Sequence, residues 1–225
     1  MVEEVISKIK TPLIMIKSAV VPGTINKLKK ETGKHIVVSP EYTGESKYHN
    51  PIYKTMTETP FHIVGGDPED VRGVFEILEP IAGPYCTYYS CTAVEAELIK
   101  YMENSFLATK VAFVNQFYDL AAVFDADWHK VREGWLLDER IERGFSSVFS
   151  DNRGFGGKCL PKDILAIIKA AEKAGYDAGI LKAILEYNNN VRTPYHDQNT
   201  VQNSLQSSVN HALRLCLSLR VFCHH

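Results

Sequence analysis

Apolar residues in the first half of the chain occur as short continuous runs. These runs predict buried strands at residues 12–21, 35–39, 61–64 and 85–91. Helical spacing of apolar residues appears between some of them, at 24–32 and 68–79. The pattern therefore predicts an α/β fold for this half, in which helices cover a sheet.

The second half of the chain has a helical pattern. Thr92 and Glu95 have the spacing of a capping box, and no glycine or proline interrupts the pattern before about Phe124. A helix of about 30 residues extends roughly 45 Å, which is more than one small domain needs. We interpret it as a spine shared between domains or subunits. A two-fold dimer is expected through its row of Val94, Leu98, Tyr101, Ser105 and Ala112.

Length and composition narrow the classes of protein to which the chain can belong. The chain has 225 residues, of which 45% are hydrophobic and 23% charged, with a formal net charge of −2. This length allows one large or two small domains, and no basic stripe suggests a nucleic-acid partner. No apolar run reaches membrane-spanning length, and the first residues are not those of a signal peptide. Five cysteines without a metal-type pair predict a reduced, cytoplasmic protein.

The segment RGFGGKCLPKD, residues 153–163, combines glycines with a cysteine, a proline and a lysine. Pro161 and the apolar period after it predict that a helix starts there, with Cys159 just outside its positive end. That position and the nearby Lys162 favour a reactive thiolate. A glycine turn with a structural cysteine fits the local pattern equally well. Lys100 and Asn104 share a face of the long helix, and such a pair alone more often indicates a solvated polar strip.

RGFGGKCLPKD resembles the GFGGxCxPKD hallmark of the UDP-glucose/GDP-mannose dehydrogenase family, the nucleotide-sugar dehydrogenases. Four other segments resemble motifs of that family in the same order. IKSAVVPGT is similar to KSTVPPGT, SPEYTGES to PEFLxEG, and LLDERI to DxRI, while residues 93–116 are similar to ExxKxxxNxxxAxKxxxxNE. Five motifs in order, over about residues 5–192, identify the chain as a member of the family.

The resemblance implies an NAD-dependent oxidoreductase that converts the C6 alcohol of a nucleotide sugar such as UDP-glucose to a carboxylate, for polysaccharide biosynthesis. Cys159 is implied to be the nucleophile, which holds the aldehyde as a thiohemiacetal and then forms a thioester. A thiolate beside a helix N-terminus suits addition to a carbonyl group. Lys100 and Asn104 are implied to stabilise the oxyanion.

Further roles also follow from the resemblance. Asp163 would act with a water molecule as general base, and Glu45 would activate water for thioester hydrolysis, with Glu41 in the same acidic segment. Arg140 would reach the substrate of the neighbouring subunit. The remaining implied contacts are Phe155, Gly156 and Gly157 with the substrate, and Lys162 and Glu45 with the cofactor.

The chain departs from the family pattern at several positions. Ala19 replaces a threonine, DNRGFGG replaces PGPGFGG, and Gln116 replaces the last glutamate of the long-helix motif. GFGGKC is not a GxGxxG dinucleotide fingerprint, and no other glycine cluster opens a strand–helix unit. We therefore expect a family core truncated at both ends. Its parts would be a partial Rossmann-like dinucleotide-binding domain at 1–91, an all-helical central dimerisation domain at 92–192 and an atypical tail at 193–225.

The tail has only three charged residues, which marks a boundary. A divergent helix, an interaction segment and an out-of-frame product all fit its composition. Two hypotheses for the function stay open. In one, the chain is a homodimeric enzyme that is incomplete alone, with missing domains supplied by a separate chain or a longer parent. In the other, it is a catalytically silent dimerisation or regulatory fragment.

Overall fold

The computed structural model describes residue 6 and residues 8–43 and 55–192. Within these residues four strands form one sheet in the order β1-β2-β3-β4. They are β1 (Leu13–Ile16), β2 (His35–Val38), β3 (Phe61–Gly65) and β4 (Thr87–Cys91). β1 runs parallel to β2 and β3 parallel to β4, whereas Val38 of β2 pairs with Gly65 of β3 in antiparallel orientation. The sheet is therefore mixed.

Helices cover both faces of this sheet. They are α1 (Thr24–Thr32), α2 (Pro68–Ala82) and the first turns of α3 (Ala93–Val123). α1 and α3 enclose one core, in which Ile14, Ile36 and Ala96 are buried. α2 encloses the other core through Val71, Val74 and Leu78. The predicted α/β fold of this half is confirmed.

The helical half is built on α3, which has 31 residues. Its capping box is confirmed, because the Thr92 hydroxyl accepts from the Glu95 amide at 3.3 Å and the Glu95 carboxylate accepts from the Thr92 amide at 2.7 Å. Beyond the sheet, α3 packs against α5 (Leu160–Lys173) and α6 (Gly179–Arg192) through a core that includes Ala108, Phe155 and Ile164. α4 (Trp128–Trp135) follows α3.

The boundaries of some elements differ from those that the sequence pattern predicts. β1 is shorter than the predicted 12–21, since β2, the strand it pairs with, has only four residues. α2 continues to Ala82, past the predicted end at 79, and takes in Pro80. Pro80 has no amide to donate to the carbonyl of Glu76, and only two helical residues follow it.

The exposed face of α3 differs from the predicted row. Tyr101, Ser105 and Ala112 are buried within the chain, because this side of the helix faces the sheet and α5. The exposed large apolar side chains of the helix share only Leu98 with the predicted row. We call them the outer face: Leu98, Met102, Phe106, Phe113, Phe117, Leu120 and Val123. At about 100° per residue they lie within roughly one third of the helix circumference. No helix among the described residues has the length and apolarity to cross a bilayer.

Candidate active site

Cys159 lies at the N-cap position of α5, directly before its first residue, and is exposed. Its carbonyl accepts the amide of Asp163 at 2.9 Å, which is the first helical hydrogen bond. Gly157, two residues earlier, has a φ of 75°, a conformation that favours glycine. The predicted helix start is therefore confirmed, and the thiol sits at the positive end of α5.

A buried carboxylate lies one turn after this thiol. Asp163 is only 2% exposed, and its Oδ2 accepts the side-chain amide of Asn104 at 2.6 Å. Its Oδ1 is 3.0 Å from the ammonium of Lys162, although these atoms are not aligned as a hydrogen bond. The structure thus brings Cys159, Asp163 and Asn104 together from two helices that are distant in sequence.

Lys100 lies one turn before Asn104 on α3. Its ammonium is 3.2 Å from the Glu103 carboxylate and 4.3 Å from the centre of the Tyr42 ring. Burial raises the pKa of Glu103, against the opposing effect of Lys100. Lys100 and Asn104 are enclosed by other elements, so the interpretation as a solvated strip is wrong.

The acidic segment after β2 meets Lys100 at the same edge of the sheet. One oxygen of Glu41 accepts the amides of Tyr42 at 2.9 Å and Thr43 at 3.0 Å, while the other is 3.7 Å from the Lys17 ammonium. Burial alone would raise the pKa of Glu41, but these amides and Lys17 lower it below its ordinary value. Burial lowers the pKa of Lys17, and repulsion by the Lys100 ammonium lowers it further. The Glu41 carboxylate acts in the opposite direction, but the pKa stays below its ordinary value.

Buried polar atoms without hydrogen-bond partners gather around this site. Among the described residues there are four such side-chain atoms, of which His62 Nε2, Tyr42 Oη and Asp163 Oδ1 belong here and Asp70 Oδ2 does not. His62 is 4% exposed, and burial and Lys17 lower its pKa, against the effect of Glu41. Because buried polar groups are almost always paired in native proteins, such a concentration is typical of a site for a polar ligand.

The loop before Cys159 is fixed to the helices behind it. Arg153, which stands where the family motif has a proline, donates to the Asn115 side chain at 2.7 Å and lies 2.9 Å from the Asp119 carboxylate. The amide of Phe155 donates to Asn188 at 2.7 Å, and its carbonyl accepts from Asn188 at 3.0 Å. These contacts join the start of the glycine segment to α3 and α6.

The predicted substrate contacts in this loop differ in accessibility. The Phe155 side chain is 2% exposed within the helical core. Gly156 lies under the guanidinium of Arg192, so that an added Cβ would be 2.7 Å from it. Gly157 is exposed beside Cys159. The backbone of the glycines is therefore the part of the loop that a ligand can reach.

Arg140 lies apart from this cluster within the chain. Its side chain is 87% exposed and is bonded to Asp138 at 2.6 Å. It lines a pocket of about 430 Å³ together with Phe106 and Phe113 of the outer face of α3. Glu45, the other predicted site residue, lies outside the described residues, as does the tail at 193–225.

The three strand–helix turns of the described sheet do not fit a dinucleotide pyrophosphate. In the turn before α3, the Glu95 carboxylate already accepts the Thr92 amide at 2.7 Å. At the start of α1, the Glu97 carboxylate accepts the amides of Gly23 at 2.6 Å and Ile25 at 3.0 Å. Glu97 is 2% exposed, so an internal carboxylate already fills this anion position. α2 begins with Asp67, Glu69 and Asp70, which repel a phosphate. Lys162, predicted to contact the cofactor, points to Asp163.

Sequence patterns alone had not indicated four residues of this region: Lys17, Tyr42, His62 and Glu97. Lys17 had a usable signal, since it is a charged residue directly after a buried strand. Glu97 also had one, because it is the glutamate of the ExxK part of the long-helix motif. Burial of Glu97 raises its pKa, against the amides of Ile25, Gly23 and Thr24. His62 and Tyr42 had no such signal, because their role depends on contacts between distant segments.

Comparison with known proteins matches the same region of the chain. Residues 94–190 match the central domain of the UDP-glucose/GDP-mannose dehydrogenase family. A UDP-glucose 6-dehydrogenase of Rickettsia prowazekii is 35% identical over 186 residues, which are 80% of this chain and 41% of that relative. The UDP-glucose 6-dehydrogenase TuaD of Bacillus subtilis is 31% identical over 82% of this chain and 40% of its own length.

A solved structure also matches. The UDP-glucose dehydrogenase from Pyrobaculum islandicum aligns with a TM-score of 0.65 at 30% identity, over 79% of this chain and 41% of that chain. The present chain therefore spans about two fifths of the length of the relatives that it matches.

Proposed function

The chain belongs to the UDP-glucose/GDP-mannose dehydrogenase family, and on this premise we propose that it carries the nucleophile centre of an NAD-dependent nucleotide-sugar 6-dehydrogenase. The observation that supports this most directly is the exposed Cys159 thiol one turn from the buried Asp163–Asn104 pair. Lys100 lies one further turn along α3. A nucleophile, a carboxylate, an amide donor and an ammonium are the groups that covalent capture of an aldehyde requires.

In the proposed reaction the Cys159 thiolate attacks the C6 aldehyde of the nucleotide sugar. A carbon–sulfur bond forms, and the carbonyl electron pair moves to the oxygen. The Lys100 ammonium and the Asn104 amide stabilise that oxyanion until it takes up a proton. Asp163 exchanges protons through a water molecule, and its bond to Asn104 keeps one carboxylate oxygen oriented.

Release of the acid from Cys159 requires hydrolysis of a thioester. Water attacks the carbonyl carbon, the carbon–sulfur bond breaks, and a carboxylate accepts the proton of the water. Glu45 is our proposal for this base. Glu41 supports the same edge of the site, because its lowered pKa keeps it anionic beside Lys17.

NAD, when bound, accepts the hydrides of both oxidations. None of the three strand–helix turns of the described sheet fits its pyrophosphate, so we assign no hydride step to these residues. The dinucleotide and the nucleoside diphosphate would be held by residues outside those described, on this polypeptide or on another. The exposed thiol also favours a reducing, cytoplasmic location.

A homodimer is the assembly that we propose for this chain. The outer face of α3 exposes seven large apolar side chains along a helix about 45 Å long, a surface that a second copy would bury. Arg140 stands at the margin of this face, beside Phe106 and Phe113. Its exposure fits a role in the site of the neighbouring subunit. The same face would also serve the alternative function, a catalytically silent dimerisation fragment.

We expect Cys159 to be alkylated by iodoacetamide at pH 7 at least about tenfold faster than Cys86 or Cys91, because its thiol is exposed at a helix N-terminus. Burial raises the pKa of both other thiols. UDP-glucose at millimolar concentration should slow the modification of Cys159 alone. Peptide mass spectrometry with time measures these rates, and Cys159→Ala is the control. A Cys159 that reacts no faster than Cys86 contradicts the nucleophile role.

A further inference from the structure

Tyr42 occupies a central place beside the proposed site. It stands in SPEYTGES where the family motif PEFLxEG has a phenylalanine. The edge of its ring packs against Phe61 at 4.8 Å between centres, and the Lys100 ammonium lies over its face at 4.3 Å. A phenylalanine would make both contacts equally well, so they do not explain the hydroxyl.

The hydroxyl of Tyr42 is buried and has no hydrogen-bond partner among the described residues. Burial, with Glu103 and Cys91 nearby, raises its pKa further above neutrality, and the hydroxyl is a hydrogen-bond donor at neutral pH. Leaving a buried hydroxyl unpaired destabilises a folded protein. A buried, unpaired hydroxyl beside a reactive centre indicates that its hydrogen-bond acceptor belongs to the bound ligand.

We propose that Tyr42 determines substrate specificity by hydrogen bonding through its hydroxyl to the hexose of the bound nucleotide sugar. This inference rests on the proposed function and adds a contact to it. A site built around a polar partner discriminates strongly against ligands that lack the matching group, since the buried hydroxyl is then left unpaired. Tyr42 is also well placed for this, because its ring is held between Phe61 and the Lys100 ammonium.

Stability provides the first test, with Tyr42→Phe and Tyr88→Phe as a matched pair. Tyr88 is also half-buried, but its hydroxyl donates to the Gly83 carbonyl at 3.1 Å. Removing the unpaired hydroxyl of Tyr42 should raise the Tm of the full chain without ligand by about 2–4 °C. Removing the bonded hydroxyl of Tyr88 should lower the Tm by a similar amount. Differential scanning calorimetry measures both changes.

Binding provides the second test. UDP-glucose is titrated into the full wild-type chain and both variants, and the affinity is followed by chemical shifts in NMR spectra. Tyr42→Phe should weaken binding about three- to tenfold, since it removes one hydrogen bond to the ligand. Tyr88→Phe should leave the affinity unchanged.

Each outcome decides the proposal. A Tm that falls in Tyr42→Phe shows a structural hydroxyl and overturns it, and so does an unchanged affinity for UDP-glucose. A wild-type chain that does not bind UDP-glucose at all also overturns this inference for the chain. The proposed function is decided separately, by the alkylation rate of Cys159, so the two failures are distinguishable.

Discussion

No reduced dinucleotide should appear when this chain alone is mixed with NAD and UDP-glucose. Glu97 fills the anion position at the start of α1, and acidic residues surround the start of α2. No GxGxxG fingerprint occurs in the sequence to provide another pyrophosphate site. Without a positioned dinucleotide the reaction loses about 7–11 kcal/mol of barrier lowering, which places turnover below detection. The formation of reduced NAD is measured by its absorbance.

The control for that experiment is addition of a separately expressed cofactor domain from a complete relative. Activity that appears only in the mixture supports a nucleophile centre that depends on a cofactor domain supplied in trans. Activity of the chain by itself would contradict our account of the strand–helix turns.

Replacing two phenylalanines of the outer face of α3 should convert a dimer to monomers. Phe106 and Phe113 are 63% and 47% exposed in the single chain and lie two turns apart on the same side of the helix. In Phe106→Glu/Phe113→Glu, each subunit would bring two carboxylates into an apolar interface. Lost burial and unpaired charges together should weaken association at least about 10³-fold. Light scattering at tens of micromolar measures the mass.

Ile77→Glu is the matched control, because Ile77 is 61% exposed on α2, away from α3. This variant should remain a dimer. A wild-type chain that is monomeric at the same concentration would remove both the assembly and the role of Arg140 in the neighbouring subunit.

Local patterns predicted much of the fold. The limits of α1 and the capping box of α3 were correct, because both depend on neighbouring residues and helical spacing. The antiparallel contact between Val38 and Gly65 was not predicted. Strand direction depends on how distant segments pair, and an apolar run carries no sign of it. Tyr101, Ser105 and Ala112 of the predicted assembly row were wrong for the same reason, since a helical period alone cannot tell which face the rest of the chain covers.

In the candidate site, too, local motifs predicted some residues, whereas others depend on contacts between distant segments. The motifs predicted Cys159, Asn104 and Asp163, and the structure places them together, with Asn104 bonded to Asp163 at 2.6 Å. The pattern did not indicate Tyr42 or His62. Their importance lies in burial and unpaired polar atoms, and these arise only when the segment after β2 meets α3 and β3. The hydrogen bonds from the amides of Gly23 and Ile25 to the Glu97 carboxylate likewise join residues that are 74 and 72 positions apart in the sequence.

A chimera tests most directly whether this chain carries the nucleophile centre. Residues 8–192 would replace the matching segment of the Rickettsia prowazekii relative, which keeps its own remaining parts. We predict formation of reduced NAD with UDP-glucose, and a loss of at least about 10³-fold in Cys159→Ser, since removing a covalent nucleophile can cost up to about 10⁶-fold. A folded chimera without turnover, or one equally active as Cys159→Ser, would contradict the account.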